Sequence, residues 1–297
     1  MKATQHPRRS MLYVPAHHSR YLEKTKELCA DCFIYDLGIS VPVHQKEKAR
    51  SLLTEFLKTT ELPRRELWVR VNSLSSPWGL DDLRELKDLP IHGIVFPRME
   101  SAEEITRAAT AMDTANLSHL MLAVMIESPR SILQIGEIAS HPRTSLLIAE
   151  TTSLTIQLHL YPSRERTGLL HSLSQIVLAA RAYDVWAIDG SHMNLKDTEG
   201  FEFTCRQGRD LGFDGRTLSH PSQIVYANEA YRPSPEDIEW ARRIVEALNE
   251  AHAHGEALAL LADQLLQPYE IDKARRVLQL DEKIRQLEAE NLQSLSL

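Results

Sequence analysis

Eight short apolar runs punctuate the chain, each followed by a stretch with helical spacing. They are MLYVP (11–15), CFIYDL (32–37), LWVRVN (67–72), GIVFP (93–97), LMLAVMI (120–126), SLLIA (145–149), VWAID (185–189) and DGRTLS (214–219). Most are nearly continuous in apolar residues, as strands covered on both faces are. Alternating strand and helix imply a parallel sheet, and eight such units imply a closed (β/α)8 barrel. An open doubly wound sheet is the competitor, weakened because no GxGxxG follows the first strand to cradle a dinucleotide phosphate.

The barrel is expected to occupy residues 1–230, with a helical extension over 231–297. In SPEDIEWARRIVEALNEAHAHG, Ser234 reads as an N-cap, Glu236 and Asp237 suit the first turn, and Gly255 reads as the stop. A final helix from about Pro268 carries Val277, Leu280, Ile284 and Leu287 at alternating three and four spacing. That seam is too short to stand alone, so the extension is expected to act as a lid packed on the barrel or on a neighbouring subunit.

The 297 residues carry a formal charge of −7 and a pI near 6.0. Interspersed acids and bases of that balance argue against a nucleic-acid partner. No apolar run approaches a membrane span and the basic start lacks a signal-peptide core, so a cytoplasmic protein is expected. Three cysteines are too few for a disulfide framework. The CADC pair, Cys29 and Cys32, reads as a helix end entering a strand, because no second ligand pair follows at zinc spacing.

Barrels of this kind build their sites at the C-terminal ends of the strands. The polar residues there are Asp36, Arg70 with Asn72, Arg98 with Glu100, Glu127, Glu150 to Ser153, Asp189 and His220. Arginine can hold a carboxylate in two parallel hydrogen bonds and carboxylates can hold a divalent ion, which suits an anionic oxo-acid. Each of these residues has a plainer reading as a helix cap or ion-pair partner. Arg70 and Glu127 stand out because each is the lone charge closing an apolar strand.

RRSMLYVP, the DL at Asp36, KEKAR, VRVNSLSSPWGLDDL, GIVFPRMESAEEI, MIESPRSIL, AARAYDVWAIDG, EGFEFTCRQGRDLGFDGRTLSHPSQI and NEAYRPSPEDIEWARRIVEA, in unbroken order over residues 8–280, resemble the citrate lyase beta subunit and its relatives. The resemblance implies a (β/α)8 barrel, usually trimeric or hexameric, with magnesium and an arginine holding the keto-acid half of an acyl-CoA substrate. It implies carbon–carbon cleavage of a 3-hydroxy-acyl-CoA, of citramalyl-CoA or malyl-CoA type, to a 2-keto acid and an acyl-CoA. Carried over by position, Arg70 would hold substrate oxygens, Glu127 would ligate the metal, and Asp36 would be the first acid of the family's DLED. Arg9, Lys46 and Arg50 fall where basic residues lie near the CoA phosphates, although a solvated helix face explains the last two equally well.

The chain also departs from that pattern. DLED becomes DLGI, with Gly38 and Ile39 replacing both later acids. GAEDL becomes ETTSL, which sets Ser153 at the second metal ligand, where a neutral hydroxyl is a poor substitute on a hard cation. Glu150 or Glu100 could move in. The lid's MID aspartate becomes Gln267, which cannot exchange a proton near neutrality, and His17 and His18 follow the first strand. Two other outcomes are therefore weighed beside the lyase: a barrel that binds oxo-acid or CoA ligands without turnover, and an enzyme of changed chemistry such as thioester hydrolysis.

Overall fold

The computed structural model describes residues 6–60, 62, 65–254, 259–262 and 264–294. Its strands are β1 (Ser10–Pro15), β2 (Cys32–Asp36), β3 (Glu66–Arg70), β4 (Gly93–Phe96), β5 (Met121–Ile126), β6 (Thr144–Ala149), β7 (Trp186–Asp189) and β8 (Gly215–Leu218). They close in sequence order, all parallel, with β8 returning to β1. All eight expected runs are strands, and the barrel expectation holds.

The two-residue period of each strand divides the side chains into two cores. Facing inward, Met11, Ile34, Trp68, Val95, Ala123, Met125, Leu146, Ile148 and Ile188 fill the barrel. Facing outward, Leu12, Phe33, Val69, Phe96, Val124 and Leu147 pack under the helices. Trp68 is fully buried at the centre, and a Cβ on Gly93 would come within 2.3 Å of its ring, so glycine makes room for the indole. Truncating such a buried indole costs about 3–5 kcal/mol.

Serine caps position the outer helices. Ser101 accepts from Glu104 N ahead of Ala102–Thr114, and Ser128 forms a capping box ahead of Pro129–Leu133. At the N-terminal end of the barrel, Arg8 forks onto Glu66 and Arg9 onto Asp31, all four side chains buried.

The described chain divides into two compact units, one spanning Arg8–Tyr231 and the other carried by the chain from Arg232 onward. In the second, Ser234 caps the helix Pro235–Ala253 with a full capping box. A short antiparallel pair, Leu260–Leu261 with Gln264–Leu265, leads to the helix Pro268–Ser294. Its core gathers Ala241, Ile244, Leu248, Ala251, Leu266 and Ala274, with Val277 packed alongside, and Ile284 and Leu287 are buried as their spacing suggests. The expected stop at Gly255 lies outside the described residues. Among the described residues no helix is long and apolar enough to cross a membrane.

Candidate active site

The inward parity of each strand, followed to its C-terminal end or one step past it, selects the mouth. Tyr13 follows Met11, Asp36 follows Ile34, Arg70 follows Trp68, Glu127 follows Met125 and Glu150 follows Ile148. These five side chains act on one another electrostatically: Arg70, Glu150, Asp36 and Glu127 all perturb the Tyr13 hydroxyl.

Asp36 and Arg70 form a fork. Arg70 Nε and Nη2 donate to the two Asp36 oxygens at 2.7 and 2.6 Å, and the carboxylate also accepts from Gly38 N at 2.7 Å and Ser40 N at 2.9 Å. A Cβ on residue 38 would lie 3.0 Å from Asp36 Oδ1, so Gly38 lets the loop close over the acid. Burial pushes the Asp36 carboxyl up, but the Arg70 charge and the hydrogen bonds outweigh it and hold the carboxyl below its usual range. With both oxygens engaged by four donors, Asp36 is a counter-ion that aims Arg70 rather than an acid–base group, a correction to its reading as catalytic. The guanidinium stacks 4.3 Å from the Tyr13 ring centroid, and Nη1 takes no part in the Asp36 fork.

Glu127 and Glu150 make the acidic side of the mouth. Glu127 accepts from the backbone N–H of Arg98, which takes up the left-handed conformation at φ 57° to present it. Burial raises the Glu127 carboxyl, the Arg98 N–H opposes the shift, and the neighbouring Glu150 charge adds to it. Burial likewise raises Glu150, against the pull of Arg70 and of the backbone N–H groups of Thr152 and Ser153. Glu150 is thus the N-cap of the helix Thr151–Gln157 and the carboxylate that faces Glu127. Ser153 is a half-buried residue of that first turn, offering only a hydroxyl and its N–H.

Two half-buried carboxylates of like charge fit a magnesium ion, which is ordinarily held by one or two protein carboxylates with substrate and water completing the shell. Among the described residues no cluster of three or more His, Cys, Asp or Glu side chains forms a closed metal cage. Glu127 and Glu150 are the two carboxylates that strand parity brings to this side of the mouth, where Ser153 brings none. Glu150 was legible from the parity of Leu146 and Ile148.

Other expected site residues lie elsewhere. Arg9 sits at the opposite end of the barrel, 1% exposed and committed to Asp31, so it is no phosphate ligand there. Lys46 is near the mouth, but Nζ spends all three protons on Leu37 O, Gly38 O and Asn72 Oδ1, stapling the loop after β2. Arg50 pairs with buried Asp82, which in turn holds Asn72. Asp189 has outward parity and leaves the mouth for a pair with Arg166. His220 caps the turn Pro221–Gln223 through Nδ1. No disulfide joins the three cysteines, and Cys32 opens β2.

Fold and site together define a class: a (β/α)8 enzyme scaffold with one oriented arginine and a facing carboxylate pair at its C-terminal mouth. The HpcH/HpaI aldolase/citrate lyase family profile matches residues 9–221, and the chain belongs to that family of lyases. It is 37% identical over 279 residues to a (3S)-malyl-CoA thioesterase of Cereibacter sphaeroides, covering 94% of this chain and 96% of that one. It is 30% identical over 284 residues to the citrate lyase subunit beta of Leuconostoc mesenteroides, covering 92% and 93%. The crystal structure of CitE from Mycobacterium tuberculosis in complex with magnesium, acetoacetate and coenzyme A superposes with a TM-score of 0.73 at 27% identity, over 94% of this chain and 99% of that chain.

Proposed function

We propose that the chain cleaves the carbon–carbon bond of a short 3-hydroxy-acyl-CoA of malyl or citramalyl type, releasing a 2-oxo acid and an acyl-CoA. The observation that carries this reading is the Arg70 fork: a guanidinium held on one edge by Asp36 and on one face by Tyr13, whose charge acts on both Glu127 and Glu150. Arg70 would bind the carboxylate of the oxo-acid half, and the Asp36 fork keeps it from rotating as charge develops. Glu127 and Glu150 would hold magnesium, which when bound supplies positive charge for the oxygens of the oxo-acid half. Arg98 N–H and the Thr152 N–H fix the two carboxylates in place. The cation's ligation requires both to be ionised.

A second reading, hydrolysis of the thioester, is favoured by the malyl-CoA thioesterase relative, which spans almost the whole chain. The products separate them: malyl-CoA gives glyoxylate and acetyl-CoA by the lyase route, and malate with free CoA by hydrolysis. A coupled assay on malyl-, citramalyl- and citryl-CoA, with magnesium and with chelator, tests both. Keto-acid release that chelator abolishes supports the lyase, and free CoA without keto acid replaces it with the hydrolase. Saturable ligand binding with neither product returns the chain to a non-catalytic binding barrel. We further propose a cytoplasmic homo-oligomer, a trimer or hexamer in which the unit after Arg232 serves as the lid; the mass by light scattering checks the assembly.

A further inference from the structure

β7 ends on a carboxylate turned away from the mouth. Asp189 is fully buried, accepts from Arg166 Nη1 on both oxygens at 2.9 Å and from Gly190 N at 2.7 Å, and lies 3.6 Å from Arg216 Nη1. The Arg166 side chain is 9% exposed and that of Arg216 is 1%. Among the described residues Asp189 is the one carboxylate within ion-pair distance of either guanidinium. Two cations on one anion leave a net positive charge where water scarcely reaches, and Arg216 Nε has no hydrogen-bond partner. His192 nearby has no negative form to offset that charge, and burial with the Arg216 charge lowers its pKa.

Arg166 and Arg216 both line a cavity of about 380 Å³ bounded by the helix Thr151–Gln157, the loop 158–167 and the helix Thr198–Leu211. One part of the wall is polar, with the cations Arg166, Arg216 and Arg164, the hydroxyl of Thr151 and one carboxylate, Asp197, which caps the helix Thr198–Leu211 and leaves the arginines in excess. The other is apolar, from Ile156, Leu160 and Met193. His159 and Arg166, at φ 54° and 52°, hold left-handed conformations at the two ends of the bounding loop, a strain that side chains of this kind bear where a loop is held to a fixed shape. Arg70, Glu127 and Glu150 form no part of this wall.

We propose that this cavity is a second ligand site, taking a monocarboxylate with a short apolar chain. The excess positive charge selects a single anionic group, and the aliphatic wall selects the tail. The site stands independently of the reading of the mouth. Its test is calorimetric titration of the full chain with hexanoate, beside acetate, in wild type, Arg70→Ala and Ile156→Glu. Ile156 is 68% exposed, so its replacement leaves the fold intact while setting a negative charge on the cavity wall. Hexanoate should bind wild type and Arg70→Ala alike, acetate more weakly, and Ile156→Glu should lose at least about tenfold in affinity. Absence of saturable hexanoate binding, loss of it in Arg70→Ala, or equal affinity in Ile156→Glu would each overturn the proposal; loss in Arg70→Ala would assign hexanoate to the mouth.

Discussion

Replacing Arg70 with alanine removes one partner of a fork whose other partner, Asp36, is fully buried. Breaking a buried pair costs about 3–5 kcal/mol, because the remaining charge stays in low dielectric. Asp36 keeps the Gly38 and Ser40 N–H groups, so the lower end, about 3 kcal/mol, applies. For a chain of this size that lowers Tm by roughly 6–12 °C. The pH dependence carries the sign. In wild type the Asp36 carboxyl is held low, so the pair's contribution is complete above the ordinary aspartate range and is lost as pH falls through the lowered folded value. Without Arg70, burial is opposed only by the Gly38 and Ser40 hydrogen bonds, so the carboxyl rises relative to wild type and the variant's deficit should shrink between pH 7 and pH 4. Affinity for pyruvate or glyoxylate should fall about 10- to 150-fold, the worth of one charge-assisted hydrogen bond from Nη1. Denaturation at both pH values and calorimetry of the oxo-acid read the two effects separately. A deficit unchanged with pH would refute the assignment of Asp36 as counter-ion, and affinity within threefold of wild type would refute Arg70 as the oxo-acid ligand.

Other expectations follow from the same mouth. Glu150→Gln should weaken magnesium binding by at least tenfold, and Ser153→Asp should strengthen it by restoring a carboxylate in the same helix turn; calorimetric titration with the metal checks both, and an unchanged Glu150→Gln would remove Glu150 from the pair. Because Glu127 and Glu150 titrate above the usual glutamate range, magnesium affinity should fall as pH drops through that raised range, whereas affinity flat from pH 7 to 4 would contradict it. Tyr13→Phe should leave stability unchanged or raise it by about 1 kcal/mol, since the hydroxyl is buried without a hydrogen-bond partner; a loss above about 1 kcal/mol by chemical denaturation would show a partner.

Eight apolar runs in regular alternation with helical segments determined the barrel, because parallel strands covered on both faces cannot hide their composition. Arg70 and Glu127 were legible for a related reason: a lone charge at the end of an apolar strand continues the inward parity into the mouth. Family membership was likewise readable from ordered motifs. What sequence could not assign was the use of each charge. Asp36, Lys46 and Arg50 sit near the mouth, yet Asp36 and Lys46 spend their hydrogen-bonding capacity on Arg70, the loop after β2 and Asn72, and Arg50 pairs with Asp82, partners supplied by other segments of the chain. Arg9 lies at the wrong end of β1 for a site, and Asp189 is one residue out of phase with the barrel interior, so pleat and pairing register alone send it toward Arg166 and Arg216. Strand periodicity is local and survives in one dimension, whereas a charge's role depends on which partner closes over it, and that is decided only when distant segments meet.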